Sequence, residues 1–543
     1  MNRYFPFLVP VLFVLLACGA SLEGAPPKLD WLYPAGAGPA SSTTIAMNDV
    51  GAWPVKVWID DDQGLTVVPG KEKNTLMLTT QADARPGVRW LRLYNSEGAS
   101  SLRPLIIGSL PQVEEKEPNN SAAQAQPLAD RVVISGRLEK NGDVDGFRVS
   151  LKRGQTLVAS LTANEVLASP MDGVLQLCDA HGNVLTQSDD ERGLDPQIVH
   201  EIKRDGDYII RLFAFPATAT SSISFAGGAD FIYELTLTTG PFADHAMPLS
   251  AQRHKPATFT IAGWNLTDDT RTLALPPQSD QPITDGNVLA LTHPSLANTI
   301  AIGQSTHATL VAQSSTVAGK AEPVTPPCII TGKLSGASHR AGFRFAARKG
   351  QSMTLKVESQ SLGFPLDSVL TVRDISGKVL SETDDSNKAH DTSITFSPPA
   401  DGEYEVMLRD LHDRGGFRFV YRLTIAPVVP ELAITLELDS FVAPASAAVE
   451  IAVAIDRRNG FADDIEIRLE GLPEGVTAAS VISKPKDATE KSVKLIVPAS
   501  KVAWAGPVRV IALSNGRELA ATFTALGESR HSTFWITLTA PGK

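Results

Sequence analysis

The feature that most restricts the fold of this chain is an internal repeat whose two copies lie about 196 residues apart. Four residues return at that spacing, as the pairs Gly136 and Gly332, Gly154 and Gly350, Gly206 and Gly402, and Tyr208 and Tyr404. Another four return 195 residues later, as Asp172 and Asp367, Gly182 and Gly377, Asp189 and Asp384, and Asp190 and Asp385. A one-residue difference over such a distance indicates a duplication, so the fold must contain two units built on one plan.

Each copy of the repeat reads as a series of short β-strands. Along Phe147–Lys152, apolar residues alternate with polar ones, the period of two that is typical of a strand with one buried face. Similar stretches recur at short intervals, separated by Gly, Asp and Asn turns and without amphipathic helices between them. The pattern predicts an all-β protein of tandem β-sandwiches, in which jelly-roll domains alternate with immunoglobulin-like domains.

A length of 543 residues suggests roughly three to five domains. The predicted divisions are an export signal at 1–25, an immunoglobulin-like β-sandwich at 26–110, a jelly roll at 111–240, a diverged β domain at 241–327, a second jelly roll at 328–428 and a C-terminal immunoglobulin-like β-sandwich at 429–543. Pro111–Glu117 is expected to be a charged linker. The diverged domain is a candidate counterpart of the first sandwich, which would make the duplicated unit a pair of domains.

The N-terminus predicts that the protein is exported from the cytoplasm. Arg3 followed by the apolar run Phe5–Ala17 resembles a signal peptide and is too short for a comfortable membrane span. Leu15–Cys18 resembles a lipobox, so a lipid anchor at Cys18 and ordinary cleavage after Ala20 or Ser21 stay open. We expect a secreted, periplasmic or cell-envelope protein without a transmembrane segment. The net charge of −11 argues against nucleic acid as a partner.

Two cysteines remain beyond the predicted signal, Cys178 and Cys328. They fall in different copies of the repeat and at positions that do not correspond. A disulfide between them and a pair of buried free thiols are both compatible with the sequence.

Two short clusters of oxygen donors open the first copy. They are the stretches E-K-E-P-N-N and D-V-D, whose donors are Glu115, Glu117, Asn119, Asn120, Asp143 and Asp145. Histidine and cysteine are absent from both clusters. Calcium takes six to eight oxygen ligands from carboxylates, amides and carbonyls, whereas zinc and copper favour nitrogen or sulfur. The donor set therefore predicts a structural calcium site that joins the linker to the first strands, with a solvated acidic turn as the alternative.

The two copies resemble the bacterial pre-peptidase C-terminal domain family, which is related to the collagen-binding domains of bacterial collagenases. The resemblance rests on E-P-N-N at 117–120, G-D-V-D-G-F at 142–147, K-R-G-Q at 152–155, S-P-M-D-G-V-L-Q-L at 169–177 and D-G-D-Y-I-I-R-L at 205–212. It implies jelly-roll domains of secreted proteins that serve adhesion, substrate targeting or assistance to a protease. It also implies the same six calcium ligands in the first copy.

The second copy departs from this pattern. Where Asp143 and Asp145 should be matched it has Gly336–Arg340, and its linker keeps only Ala321–Pro323 of the first cluster. We expect calcium in the first copy only.

A second acidic group, Asp189 and Asp190 with Asp195, returns as Asp384 and Asp385 with Asp391. A second cation site and ordinary turn chemistry both fit this group. Its recurrence in a copy that has lost the first cluster favours a role in the fold.

No Ser/His/Asp arrangement, G-x-S-x-G or H-E-x-x-H motif stands in the sequence, and we expect no enzymatic activity. The prediction is a non-catalytic binding or structural protein that engages extracellular protein or polysaccharide. The alternative is an accessory or targeting subunit of a secreted hydrolase encoded separately. Five aromatic residues crowd the first sandwich and are expected to fill its core, with an exposed binding platform as the alternative: Trp31, Tyr33, Trp53, Trp58 and Trp90.

Overall fold

The computed structural model describes residues 25–218, 224–277, 288–313, 321–384, 391–526 and 529–539. The predicted signal up to residue 24, including Cys18, lies outside these ranges, as does Asp385. The described chain is almost entirely β-structure, in five consecutive sandwiches. None of the described helices has the length and apolar character needed to cross a membrane.

The N-terminal sandwich consists of two four-stranded sheets, ordered β1-β3-β6-β5 and β2-β8-β7-β4. Its strands are β1 Leu32–Tyr33, β2 Gly36–Ala37, β3 Ser42–Met47, β4 Lys56–Ile59, β5 Leu65–Pro69, β6 Thr75–Thr80, β7 Gly87–Tyr94 and β8 Arg103–Ile107. Buried aliphatic side chains such as Ile45, Leu76 and Leu91 fill the space between the sheets.

The first jelly roll consists of two five-stranded sheets, ordered β10-β12-β17-β14-β15 and β16-β13-β18-β11-β9. Its elements are β9 Gln112–Glu114, β10 Gln126–Leu128, β11 Arg131–Arg137, β12 Asp145–Leu151, β13 Thr156–Thr162, the short helix α1 Asn164–Leu167, β14 Met171–Asp179, β15 Val184–Ser188, β16 Gln197–Glu201, β17 Gly206–Pro216 and β18 Ile232–Thr238. The alternation predicted for β12 is confirmed, because Phe147, Val149 and Leu151 are buried. The predicted linker is partly wrong, since β9 pairs in parallel with β11.

The middle sandwich has two three-stranded sheets, ordered β19-β21-β22 and β20-β24-β23. Its strands are β19 Phe242–Met247, β20 Ser250–Gln252, β21 Ala257–Trp264, β22 Thr272–Leu275, β23 Val288–Leu291 and β24 Ile300–Ser305. The order reproduces β1-β3-β6 and β2-β8-β7 of the N-terminal sandwich, including the parallel pairing of the second strand with the last. The two sandwiches therefore share a strand plan.

The second jelly roll repeats the first, with sheets ordered β26-β28-β33-β30-β31 and β32-β29-β34-β27-β25. Its elements are β25 Ala308–Val311, β26 Glu322–Pro323, β27 Cys328–Lys333, β28 Ala341–Ala347, β29 Met353–Glu358, a 3-10 turn at Gln360–Leu362, β30 Ser368–Asp374, β31 Val379–Thr383, β32 Ser393–Phe396, β33 Gly402–Asp410 and β34 Val420–Pro427. Its edge strand β25 precedes residue 328, because the backbone of Ala308–Val311 pairs with β27.

The C-terminal sandwich packs a three-stranded sheet, β35-β37-β40, against a larger sheet ordered β36-β45-β41-β38-β39, with β42 paired to β41 and a small β43-β44 hairpin. Its strands are β35 Glu431–Leu436, β36 Ser440–Ala443, β37 Val449–Arg458, β38 Ile465–Glu470, β39 Val481–Ser483, β40 Ser492–Val497, β41 Trp504–Ser514, β42 Arg517–Ala520, β43 Phe523–Thr524, β44 Arg530–His531 and β45 Phe534–Leu538.

The aromatic residues of the N-terminal sandwich lie mainly at contacts with other domains. The rings of Trp58 and Trp90 pack against the core of the C-terminal sandwich, where Trp58 meets Trp535 with centroids 6.0 Å apart. Trp31 and Tyr33 pack against the first jelly roll. Only Trp53 packs against the core of its own sandwich. The expectation that these rings fill that core is therefore wrong for four of the five, because interfaces bury them instead.

The two cysteines are separate buried thiols, so the disulfide considered from the sequence does not form. Burial raises the pKa of Cys328 to about 11, which makes its thiolate, the reactive form, scarce at neutral pH.

Candidate metal centre

The first cluster of oxygen donors lies between β9 and β10, and the second lies at the start of β12. The fold brings them together, since side-chain oxygens of Glu115, Glu117 and Asp145 all lie within 4.8 Å of one another. Among the carboxylates, histidines and cysteines of the described residues, these three carboxylates lie close enough together to bind one metal ion. Residues about 30 positions apart in sequence thus share one pocket because β9 and β12 run in neighbouring layers of the jelly roll.

Two buried oxygens of the site have no hydrogen-bond partner. Asn119 and Asp145 are each 0% exposed, yet Oδ1 of each accepts no hydrogen bond from the described residues. Leaving a buried polar atom unsatisfied costs about 1–3 kcal/mol, and more for a charged group. A hard cation bound by these oxygens would remove that cost, so the residues fit calcium.

Hydrogen bonds hold the remaining atoms of the site in place. Oε2 of Glu115 accepts from the backbone N–H of Arg137 at 2.9 Å, and its Oε1 accepts from Nδ2 of Asn119 at 3.2 Å. Oε2 of Glu117 accepts from the backbone N–H of Asn119 at 2.9 Å. The buried hydroxyl of Tyr233 donates to Oδ2 of Asp145 at 2.5 Å. Each carboxylate is therefore oriented by at least one hydrogen bond.

Asn120 and Asp143 form the turn beside this pocket. Oδ2 of Asp143 accepts from the backbone N–H of Glu139 at 2.7 Å. When the Asn120 amide is oriented to satisfy its neighbours, its nitrogen donates to Oδ1 of Asp143 at 3.0 Å and to the carbonyl of Val144 at 2.9 Å. Both residues thus have partners within the turn, and the three carboxylates named above are the ones brought within ligand distance of one another.

Electrostatics in the pocket favour the uptake of positive charge. Burial raises the pKa of Glu115 to about 7, and the neighbouring charges of Glu117 and Asp143 add to the rise. Burial and the charge of Glu115 also raise the pKa of Asp145 well above its usual value. These carboxylates disfavour their shared negative charge because it is confined in a poorly solvated space. A divalent cation would offset that repulsion.

The second jelly roll lacks the corresponding oxygens. Ala341 opens β28 as Asp145 opens β12, and His339 stands where Asp143 stands. Ala312 donates its N–H to Thr331 as Glu115 donates to Ser135, so an alanine occupies the position of Glu115. The scaffold is retained: Tyr421 covers Gly332 as Tyr233 covers Gly136, and a Cβ on either glycine would overlap the tyrosine ring.

The match of Glu322-Pro323 to Glu117-Pro118 is wrong. Glu322 pairs in register with Phe343, as Gln126 pairs with Phe147. Its Oε1 accepts from the N–H of Gln313 at 2.9 Å, just as Oε1 of Gln126 accepts from the N–H of Lys116 at 2.8 Å. Glu322 therefore corresponds to Gln126, which fixes the connecting segment by a hydrogen bond, and not to the candidate ligand Glu117.

The second acidic group braces the fold in both copies. Asp195 is buried and accepts hydrogen bonds from the backbone N–H groups of Ala163, Asn164 and Glu165, at the start of α1. Asp391 accepts in the same way from Ser359, Gln360 and Ser361, at the 3-10 turn. Asp189 and Asp190 are exposed in the loop before Asp195. The duplicated aspartates therefore cap short helical turns.

A buried charge cluster that the sequence did not predict joins three domains. Asp244, fully buried, contacts Arg192 of the first jelly roll and Arg418 of the second at 3.1 Å each, and His245 at 2.7 Å. Burial alone would raise the pKa of Asp244, but the His245 hydrogen bond and the two guanidinium groups hold it below its usual value. Its two arginine partners lie 52 and 174 residues away, so no local pattern identifies the cluster.

No protein-family model matches the chain. A stretch of 123 residues is 30% identical to a probable subtilase-type serine protease of Deinococcus radiodurans, and covers 22% of this chain but only 16% of that protein. The chain thus spans less than a fifth of that relative.

Two bacterial proteins of known structure are among those to which this chain is similar. Fibronectin(III)-like modules of Clostridium thermocellum CbhA are 13% identical, with 36% of this chain and 87% of theirs covered and a TM-score of 0.13. The protein SGBP-B of Bacteroides ovatus, solved with a mixed-linkage heptasaccharide, is 8% identical, with 72% and 73% covered and a TM-score of 0.13. These values are too low to carry any inference about this chain.

Proposed function

We propose that this chain is an exported, non-catalytic binding or structural protein of the cell envelope or extracellular matrix. It engages protein or polysaccharide, and its two jelly rolls are domains of the pre-peptidase C-terminal type. The first of them carries a structural calcium ion. The residues that hold the ion are Glu115, Glu117 and Asp145 with Oδ1 of Asn119, and the turn of Asn120 and Asp143 supports them.

The observation that carries the calcium proposal is the pair of buried, unpartnered oxygens inside a carboxylate cluster. Calcium supplies charge neutralisation at that point and no other chemistry. The protein positions its ligands through Tyr233, the N–H of Arg137 and the strand β12. Because Glu115 and Glu117 belong to the connection after β9 and Asp145 to the opposite sheet, the ion ties the entry segment to the sandwich.

Thermal unfolding of residues 25–543 with calcium and with chelator tests this proposal. Calcium at ~100 times its Kd stabilises the first jelly roll by about 2.7 kcal/mol, because it binds only the native state. A variant with Asp143→Ala and Asp145→Ala should lose the shift. The matched control changes the second copy, with His339→Ala and Glu322→Gln, and should keep it. Identical curves for the wild type with and without calcium would contradict the proposal.

A second candidate is an accessory or targeting subunit of a separately encoded hydrolase. It is favoured by the partial similarity to a protein named as a probable subtilase-type serine protease. A pull-down from the culture medium of the native host separates the two functions. Recovery of a protease or glycosidase in stoichiometric amount supports the accessory role, whereas recovery of matrix polymer or a surface protein supports the binding role.

A further inference from the structure

A cleft with a volume of about 430 Å³ lies where the first jelly roll meets the middle sandwich. Its walls are β15, the loop after it, β16, and Trp264 at the end of β21. β15 and β16 are the outermost strands of the two sheets of the jelly roll, so no further strand covers the cleft. Clefts of this size suit small ligands or a few units of a polymer.

One wall of the cleft is the indole ring of Trp264. The ring is half-buried and packs against Phe417 of the second jelly roll at 5.5 Å and against Phe242 at 6.2 Å, measured between ring centroids. The next residue, Asn265, donates its side-chain N–H to the carbonyl of Thr156 at 2.9 Å and ties this end of β21 to the jelly roll. The indole is therefore a fixed aromatic surface.

The wall formed by the first jelly roll offers one donor and two exposed carboxylates. Gln197 is only 6% exposed, its Oε1 accepts from Ser160 at 3.3 Å, and its Nε2 has no acceptor among the described residues. The carboxylates of Asp189 and Asp190 are exposed at the mouth of the cleft. The amide nitrogen of Gln197 therefore keeps its hydrogens available for an acceptor oxygen of a ligand in the cleft.

The neighbouring charges narrow the class of ligand. Glu191 accepts from Arg418 at 2.5 Å, and Arg192 is paired with Asp244, so these charges are already neutralised. Asp189 and Asp190 form no ion pair with the described residues, and their exposed negative charges repel an anionic polymer. A cationic group would suit them but would meet the N–H of Gln197 with the wrong polarity. A hydroxyl group suits both kinds of polar group on this wall, because it donates to a carboxylate and accepts from an amide.

We infer that this cleft binds a neutral oligosaccharide, with a sugar ring against Trp264 and its hydroxyl groups on Gln197, Asp189 and Asp190. Sugars present an apolar C–H face to an aromatic ring and hydroxyls around the edge, which is the combination that the two walls require. This inference rests on the proposed binding function and names the polysaccharide side of it. The site does not involve the calcium ligands.

Affinity electrophoresis of residues 25–543 through gels of mixed-linkage β-glucan, xyloglucan, galactomannan and dextran tests the inference. We expect retardation by at least one of these neutral polymers, and polygalacturonate and a lysine octamer should not compete. Trp264→Ala and Asp190→Asn should each weaken binding roughly tenfold, the loss expected for one aromatic contact or one charge-assisted hydrogen bond. Asp207→Asn is the matched control, since Asp207 is exposed elsewhere on the same jelly roll, and it should bind as the wild type does.

The outcomes separate failure of the site from failure of the function. Binding that survives both Trp264→Ala and Asp190→Asn overturns the cleft while leaving polysaccharide binding intact. Absence of binding to every neutral polymer overturns the inference, and the proposed function then depends on a protein partner in the pull-down. Competition by the lysine octamer that disappears with Asp190→Asn would reassign the cleft to a cationic ligand. Asp190→Asn keeps the test valid if Trp264→Ala fails to fold.

Discussion

The two jelly rolls share every sheet but differ at the point where a metal ion would bind. Both have the same strand order, the same tyrosine over glycine contact and the same aspartate cap on a short helical turn. Where the chain enters each domain, the first jelly roll has Glu115 and Asp145, and the second jelly roll has Ala312 and Ala341 at the same positions. The ligands lie on a connecting segment and on the first residue of a strand, so their loss leaves the core unchanged.

A second difference lies on the strands that carry the two tyrosines. In β18, Glu234 follows Tyr233, is buried, and accepts from Ser135 at 2.7 Å and from Gln112 at 2.9 Å. In β34, Arg422 follows Tyr421 and pairs with Glu358 at 2.9 Å. The first copy therefore buries an isolated carboxyl group at a position where the second makes an ion pair. The same scaffold accommodates opposite charges when each finds a local partner.

The largest expected effect tests what the copies share. Phe147→Ala and Phe343→Ala remove equivalent rings that are 0% and 1% exposed. Each should cost about 3–5 kcal/mol of local stability through lost burial and the cavity left behind. Hydrogen exchange resolved to β12 and β28 measures the two separately, with Phe147→Leu and Phe343→Leu as milder controls. A loss in only one copy would contradict the view that they have equivalent cores.

The next effect tests how the copies differ in their buried charges. Burial raises the pKa of Glu234 to about 8, so the group stabilises the fold fully below its unfolded pKa and loses this contribution as the pH rises through about 8. The stability of the first jelly roll should fall by roughly 4 kcal/mol from about pH 5 to about pH 9, since the raised pKa lies about three units above pH 5 and each pKa unit is worth about 1.4 kcal/mol.

Glu234→Gln should flatten that profile when calcium is present throughout. Urea unfolding at several pH values, followed by hydrogen exchange in β18, provides the measurement. Arg422→Gln in the second copy is the matched change and should leave the profile of the first copy as it is. An unchanged slope in Glu234→Gln would show that another group titrates.

The smallest effect again tests what is shared. Asp195→Ala and Asp391→Ala each remove a carboxylate that accepts from three backbone N–H groups at a short helical turn. Each should cost about 1–2 kcal/mol, the usual range for a lost cap. Asp189→Ala, in the exposed loop nearby, should change little. If calcium affinity rather than stability responded to Asp195→Ala, the aspartates would be ligands and not caps.

Local patterns in the sequence predicted the parts of the fold that local interactions determine. The alternation along β12 reflects which side chains face the core, and it holds at Phe147, Val149 and Leu151. The spacing of the repeat located the second jelly roll because equal spacing preserves strand order. The two clusters of carboxylate and amide residues also predicted the acidic pocket, because residue type alone shows which side chains carry oxygen donors. These features follow from residue type and spacing alone, without knowledge of which strands pair.

Contacts between distant residues could not be predicted in the same way. Trp58 and Trp535 are far apart in sequence, and only the return of the C-terminal sandwich to the N-terminal one explains their contact. The recurrence of Asp195 is visible in the sequence, but its N–H partners are not, because they lie about 30 residues upstream. Glu322 matches Glu117 in residue type and in the proline that follows, but the strand register, which the sequence does not reveal, aligns it with Gln126. Gln197 and Trp264 carry no motif and become neighbours only through the docking of two domains.

The most direct test of the central claim is to count calcium ions bound to each chain. Native mass spectrometry of residues 25–543, after dialysis against micromolar calcium, should show one ion per wild-type chain. The Asp145→Ala variant should show none, and Ala341→Asp should not by itself add a second ion, because Ala312 also lacks a carboxylate. Two ions on the wild type would contradict the difference between the copies. No ion on the wild type would contradict the calcium site itself.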